Sequence, residues 1–288
     1  MGGFSKAFNS MTQQLKEAFA KIDRQNQDLS HANERMKRDL DAAARVQRTL
    51  LPDKLPEVQG FSFAWSYRPC DELAGDAIDI ARINDDLIAV YLLDVSGHGV
   101  PAALLSVTAT RGLHPRGGDA ASLVTGPGAN PEAVDPAQVA SRLNSLYPMA
   151  SNGNHYFTMI YGLLDVHTRR LRFTVAGHPG PILASTGGQP RRLDVRGLPV
   201  GMIEEAEYDE SVIELQPGDR LFLHSDGLTE EVNAQNEMFG DERLLSAIAD
   251  GQALSLSDTV ESLVQKVVAW RGEDHLRDDV SILAIAVA

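Results

Sequence analysis

The sequence predicts an α+β fold, a layered sandwich preceded by one long N-terminal helix. Three observations carry that reading. No Gly or Pro occurs between Gly3 and Pro52, and apolar residues recur there every three or four positions. Beyond Gly60, many short β segments with hairpin-like spacing are enclosed by helical segments. The 288 residues are 43% apolar and 23% charged, values ordinary for a chain that buries a sizeable core.

In the first segment Phe4, Phe8, Met11, Leu15, Ala18, Ile22, Gln25, Leu29, Ala32 and Met36 fall on one seam, a heptad pattern with polar Gln25 inside it. The step from Met36 to Leu40 is again four, which shifts the register as a stutter does. Residues 1–50 carry a net charge of +3, whereas the remainder carries −17. The segment is therefore a different object from the rest of the chain, and the expected domains are 1–50 and 51–288. A lone helix of this length has nothing on which to bury its seam. The expectation is a parallel coiled coil that makes a homodimer through residues 4–36; the alternative is a helix folded back on its own domain.

Phe61, Phe63, Trp65 and Tyr67 alternate as in a half-buried strand. Leu87–Leu93 is an unbroken apolar run and reads as a buried strand. Pro101–Leu113 is an Ala-rich helix, and His114–Asp135, rich in Gly, Pro and Ala, reads as a long mobile loop. Gln138–Leu146 is helical. Strands follow at Tyr156–Leu164, Leu171–Ala176, Pro181–Ala184, Arg191–Asp194, Ser211–Glu214 and Arg220–His224. Glu242–Ala249 and Thr259–Arg271 are helices, and Val280–Ala286 is a final strand.

Several classes are excluded. A net charge of −14 and a pI near 4.9 disfavour nucleic acid as a partner. Cys70 is the single cysteine, so there is no internal disulfide framework and no thiolate metal cluster. The longest apolar runs, Leu87–Leu93 and Ile282–Ala288, are far shorter than the roughly 20 residues that span a bilayer. No signal peptide, Rossmann or P-loop pattern is present. A cytoplasmic setting is expected.

Four aspartates stand where apolar strands run out: Asp76 in Leu-Ala-Gly-Asp, Asp94 in Asp-Val-Ser-Gly-His-Gly, Asp226 in His-Ser-Asp-Gly, and Asp278 before Asp279. Carboxylates gathered at one end of a sheet repel one another unless a cation joins them. Oxygen donors select Mg²⁺ or Mn²⁺ over Zn²⁺ or Cu²⁺. Asp-Gly at a strand end can simply make a turn, but four such places, with Gly97, Gly99 and Gly227 leaving room for close approach, point to a site.

The series Gly75-Asp76, Asp94-Val-Ser-Gly-His98-Gly99, Phe157-Thr158-Met, Ala176-Gly177-His178, Leu198-Pro-Val-Gly201, Ser225-Asp226-Gly227 and Asp278-Asp279 resembles the PPM family. More narrowly it resembles the SpoIIE-like bacterial serine/threonine phosphatases of the RsbU kind. Ala44-Arg-Val-Gln47-Arg-Thr-Leu50-Leu51-Pro52 is similar to the segment that leads into such domains. Residues 4–15 look like the tail of a HAMP module, as in SiaA-type sensor phosphatases. That would place this fragment in the cytoplasm and anchor a longer parent in the inner membrane, with contact to the membrane only through upstream segments.

The resemblance implies an α-β-β-α sandwich and a protein-serine/threonine phosphatase with two Mn²⁺ or Mg²⁺ ions. By motif position Asp94 bridges both ions, Asp76 and the carbonyl of Val95 hold one, and Asp226 and Asp278 hold the other. Asp94 and Asp76 are thus the candidate catalytic residues. The implied partner is a phosphorylated STAS-domain anti-sigma-factor antagonist. Two departures stand out: Ala77-Ile78 replaces the family's aromatic pair, and Ala74 stands where Gly is usual. Asp279 competes with Asp278 as a ligand. His98 and His178 read first as structural, Thr158 as a sheet residue, and Cys70 as a packing residue. Ser96 and Ser225 have no triad partners. The alternative function is a non-catalytic pseudophosphatase, against which all four carboxylate positions speak. A diguanylate cyclase would share only Ala74-Gly75-Asp76.

Overall fold

The computed structural model describes residues 2–52, 54–113, 124–125, 132–273 and 275–288, with side chains described from Phe8 onward except at 124, 125 and 132. Most of the loop expected at His114–Asp135 lies outside the described residues. The chain divides into two compact units, residues 1–46 and 47–288.

The first unit is helix α1 (Gly2–Arg48), whose last two residues belong to the second unit. It is continuous, as the absence of helix breakers requires. Phe8, Met11, Leu15, Phe19, Ile22, Leu29 and Met36 are each about half or more exposed on it.

The second unit begins with β1 (Phe61–Arg68), β2 (Ala77–Arg82) and β3 (Leu87–Val95), then α2 (Val100–Leu113) and the short pair β4 (Val124–Thr125) and β5 (Glu132–Ala133). After α3 (Pro136–Leu146) come β6 (Phe157–Asp165), β7 (Arg170–Ala176), β8 (Ile182–Ala184), β9 (Arg191–Arg192), β10 (Ser211–Glu214) and β11 (Arg220–His224). The chain closes with α4 (Gly227–Glu230), α5 (Gly240–Asp250), α6 (Leu256–Arg271) and β12 (Val280–Val287). One five-stranded antiparallel sheet runs β1-β12-β11-β8-β9 and the other β10-β7-β6-β3-β2.

Strand periodicity sorts the core into layers. Ile88, Val90 and Leu92 of β3 face Leu221, Leu223, Leu283 and Ile285 across the inter-sheet core. The alternate residues Ala89, Tyr91, Leu93 and Val95 pack under Ala102, Leu105 and Ala109 of α2 and Val139, Ala140 and Leu143 of α3. On the far side Phe222, Ile282 and Ala284 pack under Leu244 and Ile248 of α5 and Val260, Leu263 and Val267 of α6. The order is α-β-β-α. β3 reads as an unbroken apolar run because both its faces are covered. α6 is capped by Ser255, whose side chain accepts from the Asp258 N–H, and ends at Gly272 with φ 75°.

The expected elements are present, with ends shifted by a residue or so at most places. Strands not evident from the sequence are β2 and the short pair β4–β5, which lies within the span read as a loop. Asp79 and Arg82 interrupt the apolar pattern of β2, yet Ile78 and Ile80 point into the inter-sheet core. Among the described residues no helix is long and apolar enough to cross a membrane.

Candidate metal centre

Two pairs of neighbouring strands end on carboxylates, one pair in each sheet. In the first sheet Ala77 of β2 lies opposite Leu93 of β3, so Asp76 and Asp94 are the next residues out on adjacent strands. Asp94 in turn pairs with Thr158, and Val95 with Phe157, on β6. In the second sheet His224 of β11 lies opposite Ile282 of β12. The ladder continues through Ser225, whose N–H donates to the Ser281 carbonyl at 3.0 Å while its Oγ accepts the Ser281 N–H at 3.0 Å. Asp226 follows Ser225 directly, and Asp278 lies three residues before Ser281.

Asp279 ties the two sheets together at this end. Its carboxylate accepts the Gly75 N–H at 2.7 Å and the Cys70 N–H at 2.9 Å. Both of its oxygens are thereby held by backbone of the 70–76 segment. Asp278 is exposed, and its Oδ1 accepts the N–H of Asp279 at 2.8 Å. Asp279 acts as a brace, and Asp278 offers the freer carboxylate.

The backbone closes tightly around these groups. A Cβ on Gly75 would stand 3.0 Å from the Val95 carbonyl oxygen and 3.4 Å from that of Gly97. A Cβ on Gly227 would collide with the Asp279 carbonyl and lie 3.4 Å from the Cβ of Asp278. Glycine at both places lets the ligand-bearing segments touch.

The carboxylates perturb one another's ionisation. Burial, then the charges of Asp94 and Asp279, hold the Asp76 carboxyl well above the usual carboxylate range. Burial, then Asp226 and Asp278 from the other sheet, do the same to Asp94. Asp226 is pushed up to about 6 by burial, Asp278 and Glu230. Asp76 is 2% exposed, and its Oδ2 is buried without a hydrogen-bond partner. A buried orphan oxygen among mutually repelling carboxylates is a costly arrangement that a hard divalent cation resolves. The donors are carboxylates and a carbonyl, which fits Mg²⁺ or Mn²⁺.

Cys70 lies beside this cluster, with its Sγ and oxygens of Asp278 and Asp279 all within 4.8 Å of one another. Burial and the Asp279 charge push the Cys70 thiol far up, so it stays protonated at neutral pH and is a poor nucleophile or ligand. His98 is exposed and pairs with Asp71 at 3.2 Å. His178 is buried, with its Nδ1 2.7 Å from Thr158 Oγ1, so that Thr158 serves both the sheet and this ring.

One residue to which the sequence alone assigns no role is Gln47. Its side chain is buried, donates from Nε2 to the Ala74 carbonyl at 2.6 Å, and accepts the Ala74 N–H on Oε1 at 3.2 Å. Gln47, the first residue of the second unit, thus grips the backbone two residues before Asp76. Ala74 is fully buried, which leaves little room for a larger residue there. No motif signals such a contact, because it is made through main-chain atoms.

Comparison with known proteins agrees with this architecture. The phosphoserine phosphatase RsbP of Bacillus subtilis (strain 168) is 26% identical over 87% of this chain and 58% of its own length. The phosphoserine phosphatase RsbU of the same organism is 24% identical over 91% of this chain and 73% of its own length. The chain therefore spans little more than half of RsbP. The SiaA-PP2C domain of Pseudomonas aeruginosa superposes with a TM-score of 0.72 at 22% identity, covering 89% of this chain and 99% of that one, so the fold is PP2C-like. The family model for Stage II sporulation protein E matches residues 84–288, a span that holds Asp94, Asp226 and Asp278 and begins just after Asp76. With that model covering well over half of the sequence, the chain belongs to the SpoIIE family.

Proposed function

We propose that the chain is a metal-dependent protein serine/threonine phosphatase that acts on a phosphorylated partner-switching regulator of the STAS type. The observation that carries this reading is the convergence of Asp76, Asp94, Asp226 and Asp278 from two sheets around a buried oxygen with no partner. The phosphoserine phosphatase activity in the names of RsbP and RsbU supports it.

In this reading Asp94, Asp76, the Val95 carbonyl, Asp226 and Asp278 would together hold Mn²⁺ or Mg²⁺, with Asp94 central to the set. Ions bound there supply an acidified water and neutralise phosphoryl oxygens for in-line attack. The chain's own groups do the rest. The carboxylates order the site at one end of the sandwich. Asp279 fixes the 70–76 segment, and exposed His98 pairs with Asp71. Neither Ser96 nor Ser225 serves as a nucleophile. The Ser225 hydroxyl donates to the Asp279 carbonyl at 3.1 Å and so is part of the frame.

Residues 1–50 act as a separate dimerising segment. The uncovered seam of α1 supports a parallel homodimer, and Gln47 supports a connection from that helix to the Asp76 segment.

The test is release of phosphate from a phosphorylated STAS protein by the purified chain. Release should require Mn²⁺ or Mg²⁺, cease in EDTA and resume on adding Mn²⁺. Turnover that survives thorough chelation, or none under any metal, would refute the reading.

A further inference from the structure

Asp226 is attached to a chain of polar groups that lies outside the proposed ligands. His224, 1% exposed, places Nδ1 2.8 Å from the carbonyl oxygen of Ser225 and Nε2 3.0 Å from Nη2 of Arg192. A guanidinium only donates, so Nε2 must be the bare nitrogen and Nδ1 must carry the hydrogen. The ring is therefore neutral and has one tautomer. Arg192 is itself held, by a salt bridge to Asp241 at the start of α5 and by donation from Nη1 to the Gly180 carbonyl at 2.7 Å.

The carbonyl that His224 holds belongs to the peptide joining Ser225 to Asp226. The other groups of Ser225 are already committed to β12, through its N–H and its hydroxyl. The carbonyl's remaining partner is the Leu228 N–H at a longer 3.3 Å. The imidazole is thus the shorter of the two contacts that set the plane of the peptide leading into Asp226.

We infer that His224, locked in one tautomer by Arg192 and Asp241, is a positioning residue that fixes the peptide before Asp226 and so aims its carboxylate at the divalent cation. This rests on the proposed metal site. Groups that orient metal ligands from behind typically change affinity by roughly 10–100-fold when removed.

The test is Mn²⁺ titration of the full chain by calorimetry, which needs no substrate. His224→Asn keeps an N–H donor at the Nδ1 position. His224→Gln keeps an acceptor for Arg192 but loses that donor. We expect His224→Asn to bind Mn²⁺ within about twofold of the parent, and His224→Gln about tenfold more weakly. Arg192→Met, at a partly exposed side chain, frees the tautomer and should weaken binding several-fold even if His224→Gln fails to fold. Equal affinities in His224→Asn and His224→Gln, or unchanged affinity in Arg192→Met, would overturn the inference. Asp226→Asn separates the two levels. If it binds Mn²⁺ normally, the metal-site reading itself fails; if it alone loses Mn²⁺, only the role of His224 fails.

Discussion

Asp94 stands where two requirements oppose each other. Without a cation its partly buried charge faces Asp226 and Asp278, so the folded state is destabilised at neutral pH. Asp94→Asn removes that repulsion. In EDTA at pH 7.5 its melting temperature should rise by a few degrees, because each unit of relieved pKa elevation is worth about 1.4 kcal/mol. Phosphatase activity should fall at least about a hundredfold, and the melting temperature should no longer respond to Mn²⁺. Calorimetry with and without metal checks both signs; full turnover in a folded Asp94→Ala protein would remove Asp94 from that central role. The buried histidines give the opposite pH dependence. Burial lowers His178 to about 3, against an ordinary 6.5. Its folded form binds fewer protons than the unfolded chain below about 6.5, so the stability it confers is present above that pH and is lost as pH falls. The advantage of the parent over His178→Gln should narrow by about 1.4 kcal/mol per pH unit between pH 6 and 4.5, as measured by urea unfolding.

At the level of elements, the Gln47 side chain holds the segment that carries Asp76. Gln47→Ala removes two hydrogen bonds to Ala74 and leaves a buried carbonyl and N–H unsatisfied. The expected result is a raised Mn²⁺ requirement with near-parental turnover at saturating Mn²⁺; an unchanged metal requirement would show the contact to be packing only. What the sequence made legible here came from periodicity. β3, β11 and β12 announced themselves as apolar runs with Asp at one end, and α1 as a heptad free of breakers. β2 did not, because Asp79 and Arg82 break its alternation while only Ile78 and Ile80 reach the core. Asp279 was visible as a candidate, but its bracing of Gly75 and Cys70 spans some two hundred residues of sequence and arises only from the packing of the two sheets. Gln47 and His224 make contacts to main-chain carbonyls and N–H groups, to which no residue pattern corresponds.

For the molecule as a whole, the half-exposed apolar seam of α1 gives the clearest test of assembly. Deleting residues 1–40 should yield a monomer with lower activity at limiting Mn²⁺. A fused parallel coiled coil should restore activity in one register and not in others, as sedimentation and phosphate release would show. An equally active monomer would reduce the helix to a tether. Helical control of this kind needs a receiving element with two discrete arrangements, and the Gln47–Ala74 contact is the candidate junction.

The division of the carboxylates, two on each sheet, has a mechanical corollary. Cations shared by Asp76, Asp94, Asp226 and Asp278 would rivet the two sheets at one end of the sandwich and leave the other end as it was. Amide hydrogen exchange should then slow together at Ala77, Leu93, Ser225 and Ser281 when Mn²⁺ is added, while the β2–β3 turn around Asn84–Asp86 at the opposite end keeps its rate. The protection pattern would record the spacing between the sheets, with the metal site acting as its clasp.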